Sequence, residues 1–209
     1  MSNSMFNYDQ SQGVSAGVSN YVSESGAYAG RILTAEWNVS SGKGTKGIEI
    51  TFETSDGLKA NYLSLWYEKA DGTQLSGAKM LNAIMGCTKV ASLNSTSVNH
   101  PEGQKHFCPE LANKSIGLIL QKVLYTKNDN SDGYKFEIRI PFIPQNGKTL
   151  AEQLGNKDAV TVNNILKTLT DKDDRTQGGN QSSGQSQSQG YDNGVPDFAG
   201  DDGWGDFPA

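Results

Sequence analysis

The chain is expected to fold as a mainly β domain with a few helices, an antiparallel barrel followed by a disordered C-terminal tail. Three features lead there. Ile48, Ile50 and Phe52 alternate with Glu49, Thr51 and Glu53, the period of a half-buried strand. Glycine-containing turns join that run closely to its neighbours, as in a meander of hairpins. After Asp173 the apolar pattern stops and Gly, Ser and Gln take over. The 209 residues suffice for one domain with tails, and a mean hydropathy of −0.56 reflects polarity gathered at the two ends.

Residues 1–25, rich in Ser, Asn, Gln and Gly, read as a flexible arm ordered at most at its end. Tyr28–Val39 reads as a first strand, Ser40–Gly47 as a turn carrying two lysines, and Ile48–Glu53 as the second strand. Ser55-Asp56-Gly57 is a hairpin signal, and Lys59–Lys69 is the third strand. Over Leu75–Met85 the spacing of Leu75, Ala78, Leu81 and Met85 becomes helical, with Gly86 suited to the stop. One helix within a run of strands fits an OB-like barrel, in which a helix plugs one end. Residues 88–114 lack a period and read as irregular. Strands resume over Ser115–Lys127 and Tyr134–Phe142, with Pro141 marking an edge or a strand end. In the latter, Tyr134, Phe136, Ile138, Ile140 and Phe142 are expected on one side. Val162, Ile165, Leu166 and Leu169 predict a helix within 149–169. The domain plan is thus an arm at 1–25, a folded body at 26–172, a Gly/Ser/Gln linker at 173–190 and an acidic aromatic tail at 191–209.

The net charge of −5 conceals an uneven distribution. Residues 173–209 hold seven aspartates against Arg175 alone, a net −6, which leaves 17 basic and 16 acidic residues before them. An acidic total therefore does not argue against a nucleic-acid-binding body. No basic and apolar leader opens the chain and no apolar run is long enough to span a bilayer, so a cytoplasmic location (the host cytoplasm for a viral protein) with reduced thiols is expected.

The third strand carries the first candidate chemistry. Leu63, Leu65 and Tyr67 fall on one side, and Tyr62, Ser64 and Trp66 on the other. If the leucines face the core, Tyr62 and Trp66 are presented outward about 13 Å apart. Such rings stack on any base and contribute about 1–3 kcal/mol per base. The alternative is a sheet covered on both sides, with both rings in packing. Trp37 of the first strand is a further candidate. Arg31, Lys43, Lys46, Lys59, Lys69, Lys122, Lys135 and Arg139 are candidates for phosphate contact. Glu49 and Glu53 argue that the outward side of the second strand is not the binding face.

Tyr191–Ala209 has five aspartates, no basic residue and four aromatics: Tyr191, Phe198, Trp204 and Phe207. Acid interleaved with rings suits a docking peptide, and it also suits a weak mimic of nucleic acid that folds back on a basic groove. With Asp201-Asp202, Trp204 and Asp206-Phe207-Pro208 at the tip and a Gly/Gln/Ser linker before it, the layout resembles bacteriophage and bacterial single-stranded-DNA-binding proteins. The stretch from Gly26 to about Gly86 also resembles phage versions. Bacterial tips end in Pro-Phe, whereas this one runs Phe207-Pro208-Ala209. The resemblance implies an OB-fold body that protects single strands in DNA replication and recombination. It also implies recruitment of partner enzymes by Asp201, Asp202, Trp204, Asp206, Phe207 and Pro208.

Cys87, His100, His106 and Cys108 are zinc-compatible types, but their spacing matches no standard knuckle, and no metal or other cofactor is expected. There is no P-loop, nucleophile elbow or H-E-x-x-H, so an enzyme is not expected. The expected partners are single-stranded DNA and replication or recombination proteins, with no membrane, and self-association stays open. The rival reading is a protein-interaction adaptor or phage structural accessory; a small metal-dependent nuclease is a third option.

Overall fold

The computed structural model describes residues 5–17, 19–101 and 103–175. Among these, β1 (Gly26–Val39), β2 (Lys46–Thr54) and β3 (Lys59–Glu68) form the antiparallel meander expected from the glycine turns. Ile48, Ile50 and Phe52 are buried, as their alternation requires, and Ile32 and Leu63 join them across the ladders. Each such side chain contributes roughly 1.5–3 kcal/mol of transfer free energy.

Two irregularities bend this meander at Thr51. Ile32 faces Phe52 and Thr34 faces Thr51, so Leu33 is unmatched on β1. On the other side Ile50 faces Leu63 and Phe52 faces Ala60, so Asn61 and Tyr62 together oppose Thr51. An extra residue in one strand bends it and re-aims a side chain.

The helix α2 (Ser76–Thr88) follows β3, but its buried face is Gly77, Leu81, Ile84 and Cys87. It does not stop at Gly86, whose bare surface seats Leu150; Lys89, in the left-handed region at φ 56°, ends it. Residues 88–114 are not irregular. They contain β4 (Thr96–His100) and β5 (Gly103–Phe107), an antiparallel hairpin, and then a single 3₁₀ turn at Pro109–Leu111. The hairpin joins the sheet through Phe107, opposite Glu36 of β1.

Next come β6 (Ser115–Thr126) and β7 (Asp132–Phe142), paired antiparallel, with β6 also lying against the first half of β1. Among the described residues β7 pairs with β6 alone, which puts Pro141 on an edge strand. The one-sided pattern expected for β7 is broken at Arg139. Ile119 faces Ile140 and Leu120 faces Ile138, and beyond this bulge Phe142 lies over Gly117 rather than in the main core.

The helix expected over 149–169 is two: α3 (Leu150–Leu154) and α4 (Thr161–Thr168). The interruption is fastened by Glu152, 4 % exposed. It accepts from the Thr149 N–H at 2.8 Å and hydroxyl at 2.9 Å, and from the Val160 and Thr161 N–H groups at 2.9 and 2.7 Å. Finally β8 (Lys172–Asp173) lies parallel to β6, so the first residue of the expected linker is part of the sheet.

The N-terminal arm holds a short helix, α1 (Gln10–Ser15), capped by the Asp9 carboxylate. Its end is ordered: Asn20 to Val22 runs along β3, bonded to Lys59, and Val22 is buried. The result is a mainly β fold in which, among the described residues, eight strands form one mixed sheet. That sheet is open, since among the described residues no ladder joins β3 to β7 although the two strands approach each other.

Candidate nucleic-acid interface

The outward side of β1, β2 and β3 is the surface on which the sequence placed its aromatic plates. Tyr62 is 74 % exposed and sits at the bulge with φ 60°. A bulky side chain in the left-handed region is strained by about 1–3 kcal/mol. Trp66 is half-buried, and its surroundings explain why. Gly77 of α2 packs so closely beneath β3 that a Cβ there would lie 2.1 Å from the Trp66 carbonyl oxygen. On the outer side the indole lies across β2 over Gly47, where a Cβ would come within 2.7 Å of the ring. Two glycines thus set the height of Trp66 and lay it against the sheet. Among the described residues, Trp66 is neither in the core cluster nor packed on it.

Trp37 has the opposite placement. It faces Ile48 across the ladder, packs against the core edge-on to Tyr67 with ring centres 5.8 Å apart, and donates its indole N–H to the Asn94 carbonyl. It does not share the surface of Tyr62 and Trp66.

The cations fall into three groups. Arg31 and Lys59 flank Glu53 at one end of the outer surface, and Arg31 is paired to Glu53 at 2.7 Å. Lys43, Lys46 and Lys69 are exposed at the other end, where the β1–β2 turn touches the turn after β3: a Cβ on Gly44 would lie 3.2 Å from that of Ala70. Lys46 bonds Glu68 at 2.6 Å. Lys122, Lys135 and Arg139 belong to the β6–β7 hairpin. Lys122 lies over the Tyr134 ring at 4.7 Å, Lys135 pairs with Glu137, and Arg139 is the bulge residue. The first two groups border the aromatic surface, and the third is on separate strands.

Register also places acids on the aromatic surface: Glu49, whose side of the second strand was expected to lie apart from the binding face, and Glu36, which nothing in the sequence singled out. Glu36 faces Glu49, and Glu49 faces Ser64, midway between Tyr62 and Trp66. The outward side of β2 is therefore the same surface as the outward side of β3. Burial raises the Glu49 carboxyl above its usual range, and the neighbouring Glu36 adds to the rise against opposing effects of Ser64 and Lys105. Phe107 and Lys105, in the stretch read as irregular, reach this surface through β5; Lys105 Nζ is 3.9 Å from Glu36. Their alternation in Gln104-Lys105-His106-Phe107 was the available signal.

Cys87 and Cys108 are buried, and burial pushes each thiol up to about 11, with a hydrogen bond to Glu110 adding to the rise at Cys108. His106 Nδ1 is 3.0 Å from the Ser97 hydroxyl. Among the described residues no three His, Cys, Asp or Glu side chains gather into a metal-holding group. Asp201, Asp202, Trp204, Asp206, Phe207 and Pro208 lie outside the described residues. No described helix is long and apolar enough to cross a membrane. No protein-family model matches the chain, and no curated protein matches it.

Proposed function

We propose that this protein binds single-stranded DNA without sequence preference on the outer surface of β1–β3, and that its acidic tail recruits replication or recombination proteins. The observation that carries the reading is Tyr62, a large ring held outward by a bulge in a backbone conformation that costs free energy. Trp66, laid flat over Gly47 and outside the core, gives a second ring on the same surface. Bases need such flat faces, and the exposed Lys43, Lys46 and Lys69 rim the Trp66 end for phosphate contact. We read the sheet as an OB-like barrel: a three-strand meander, a helix after the third strand, and a long β1 shared between β2 and β6.

The Glu36–Glu49 pair favours the rival reading, a surface that binds protein, because carboxylates repel phosphate. Titration separates the two. Oligo-dT is expected to quench tryptophan fluorescence and to bind less tightly as salt rises. Tyr62→Ala and Trp66→Ala are each expected to weaken binding by roughly 5- to 150-fold, from about 1–3 kcal/mol of stacking, with an unchanged circular-dichroism spectrum. If protein lacking residues 191–209 shows no binding at low salt, the reading is wrong and the adaptor stands.

A further inference from the structure

The surface carrying Trp66 does not end at β1. Residues directly opposed across a ladder share a face of the sheet, and the register runs Ser64, Glu49, Glu36, Phe107, Thr96 from β3 through β2, β1 and β5 to β4. Phe107 is therefore on the same side as Trp66, three strand spacings across and two residues along, or about 16 Å away. Lys105, two residues before Phe107, shares that side, and Val98 faces it from β4. His106 projects from the reverse side toward Ser97. Phe107 resembles Trp66 in a second respect: it is half-buried, yet among the described residues it is neither in the core cluster nor packed on it. By contrast Tyr28, Trp37 and Tyr67 are half-buried because they pack on the core.

Resting on the reading above, we propose that the β4–β5 hairpin is a second arm of the single-strand surface, with Phe107 as its base-stacking ring and Lys105 as its phosphate contact. The strand crosses the sheet from Trp66 to Phe107. Glu36 and Glu49 form the middle of that path and keep phosphate off it, so the bases turn inward there and the backbone stays outside. Lys105 stands at the far side of these acids, 3.9 Å from Glu36, and both side chains retain solvent exposure. A pair at that distance on a surface is weak.

A second arm lengthens the stretch of DNA that the surface holds, so ligand length separates it from the β1–β3 surface alone. Wild-type protein, Phe107→Ala, Phe107→Trp and His106→Ala would be titrated with oligo-dT of about 3 nucleotides, too short to reach from Trp66 to Phe107, and of about 16 nucleotides, the upper end of single-strand site sizes. Phe107→Ala is expected to weaken binding of the longer ligand roughly 5- to 150-fold and to leave the shorter one nearly unchanged. Phe107→Trp should restore binding of the longer ligand, and His106→Ala should match wild type at both lengths. Thermal unfolding of each variant identifies loss of fold, and a Lys105→Ala series gives a second reading if Phe107→Ala unfolds. Wild-type binding at both lengths with no effect of Phe107→Ala or Lys105→Ala overturns the second arm and leaves the β1–β3 surface intact. Absence of wild-type binding to the longer ligand overturns both.

Discussion

Tyr62 and Trp66 differ in how they are held, and the difference has consequences for stability. Trp66 is fixed from beneath by Gly77 and laid on Gly47, so its position follows from packing. Tyr62 gains no comparable support: most of its surface is in solvent while its backbone is left-handed. Glycine adopts that conformation without the Cβ penalty, which for other residues is about 1–2 kcal/mol. Tyr62→Gly is therefore expected to raise the unfolding temperature, or at least to leave it unchanged, while weakening oligo-dT binding as strongly as Tyr62→Ala does. Calorimetry and titration on the same variant check the two halves. A clear fall in unfolding temperature would mean that the tyrosine ring packs against the sheet, which removes the argument that its strain is kept for a ligand.

The individual elements were legible to the extent that their burial had a period. β2 could be read because Ile48, Ile50 and Phe52 enter the core and their neighbours do not. The β4–β5 hairpin could not: every residue of β4 is exposed, so Thr-Ser-Val-Asn-His has no apolar face to alternate. The outward placement of Tyr62 was readable from the leucines of β3, whereas Trp37 was not readable from β1, where the unmatched Leu33 changes the phase. The break between α3 and α4 was hidden for another reason. It depends on the carboxylate of Glu152 meeting amides eight and nine residues later. Burial alone would raise that carboxyl, but its hydrogen bonds to Thr149, Val160 and Thr161 outweigh burial and hold it at about 2, against an ordinary 4.5. A carboxylate depressed in the fold contributes stability that is present above the unfolded value and lost as pH falls toward the folded one. The α3–α4 segment should therefore loosen between about pH 5 and pH 2, with at most about 3 kcal/mol at stake. Glu152→Gln should remove that dependence and lower stability at pH 7. Amide exchange at Val160 and Thr161, followed against pH, reports it directly, and protection that ignores pH in wild type would refute the assignment.

Charge acts at the scale of the whole molecule. Arg31, Lys46 and Lys135 each have an acidic partner within 3 Å, and the centre of the aromatic surface is acidic, so the folded body offers stacking more than a strong cationic field. Each phosphate neutralised on a single strand adds about −0.7 to the slope of log affinity against log salt. A body that binds mainly through rings should thus have a shallow slope, of about −2 or less steep by that measure. The tail adds the opposing charge. The chain leaves the described fold at Arg175, which is tied to Asp132 at 3.0 Å and follows β8 along β6; charges balance up to that residue, and the five aspartates after it carry the whole net charge of −5. Concentrated acid tethered to a weakly charged body lowers the local preference for another polyanion, most strongly where screening is least. Deleting residues 191–209 is accordingly expected to leave oligo-dT affinity equal or tighter, with any gain largest at low salt and fading as the Debye length shrinks. The comparison of salt slopes with and without the tail decides the point. If deletion weakens binding, the tail itself contributes to the DNA contact, and stacking on the β1–β3 surface is not what carries affinity.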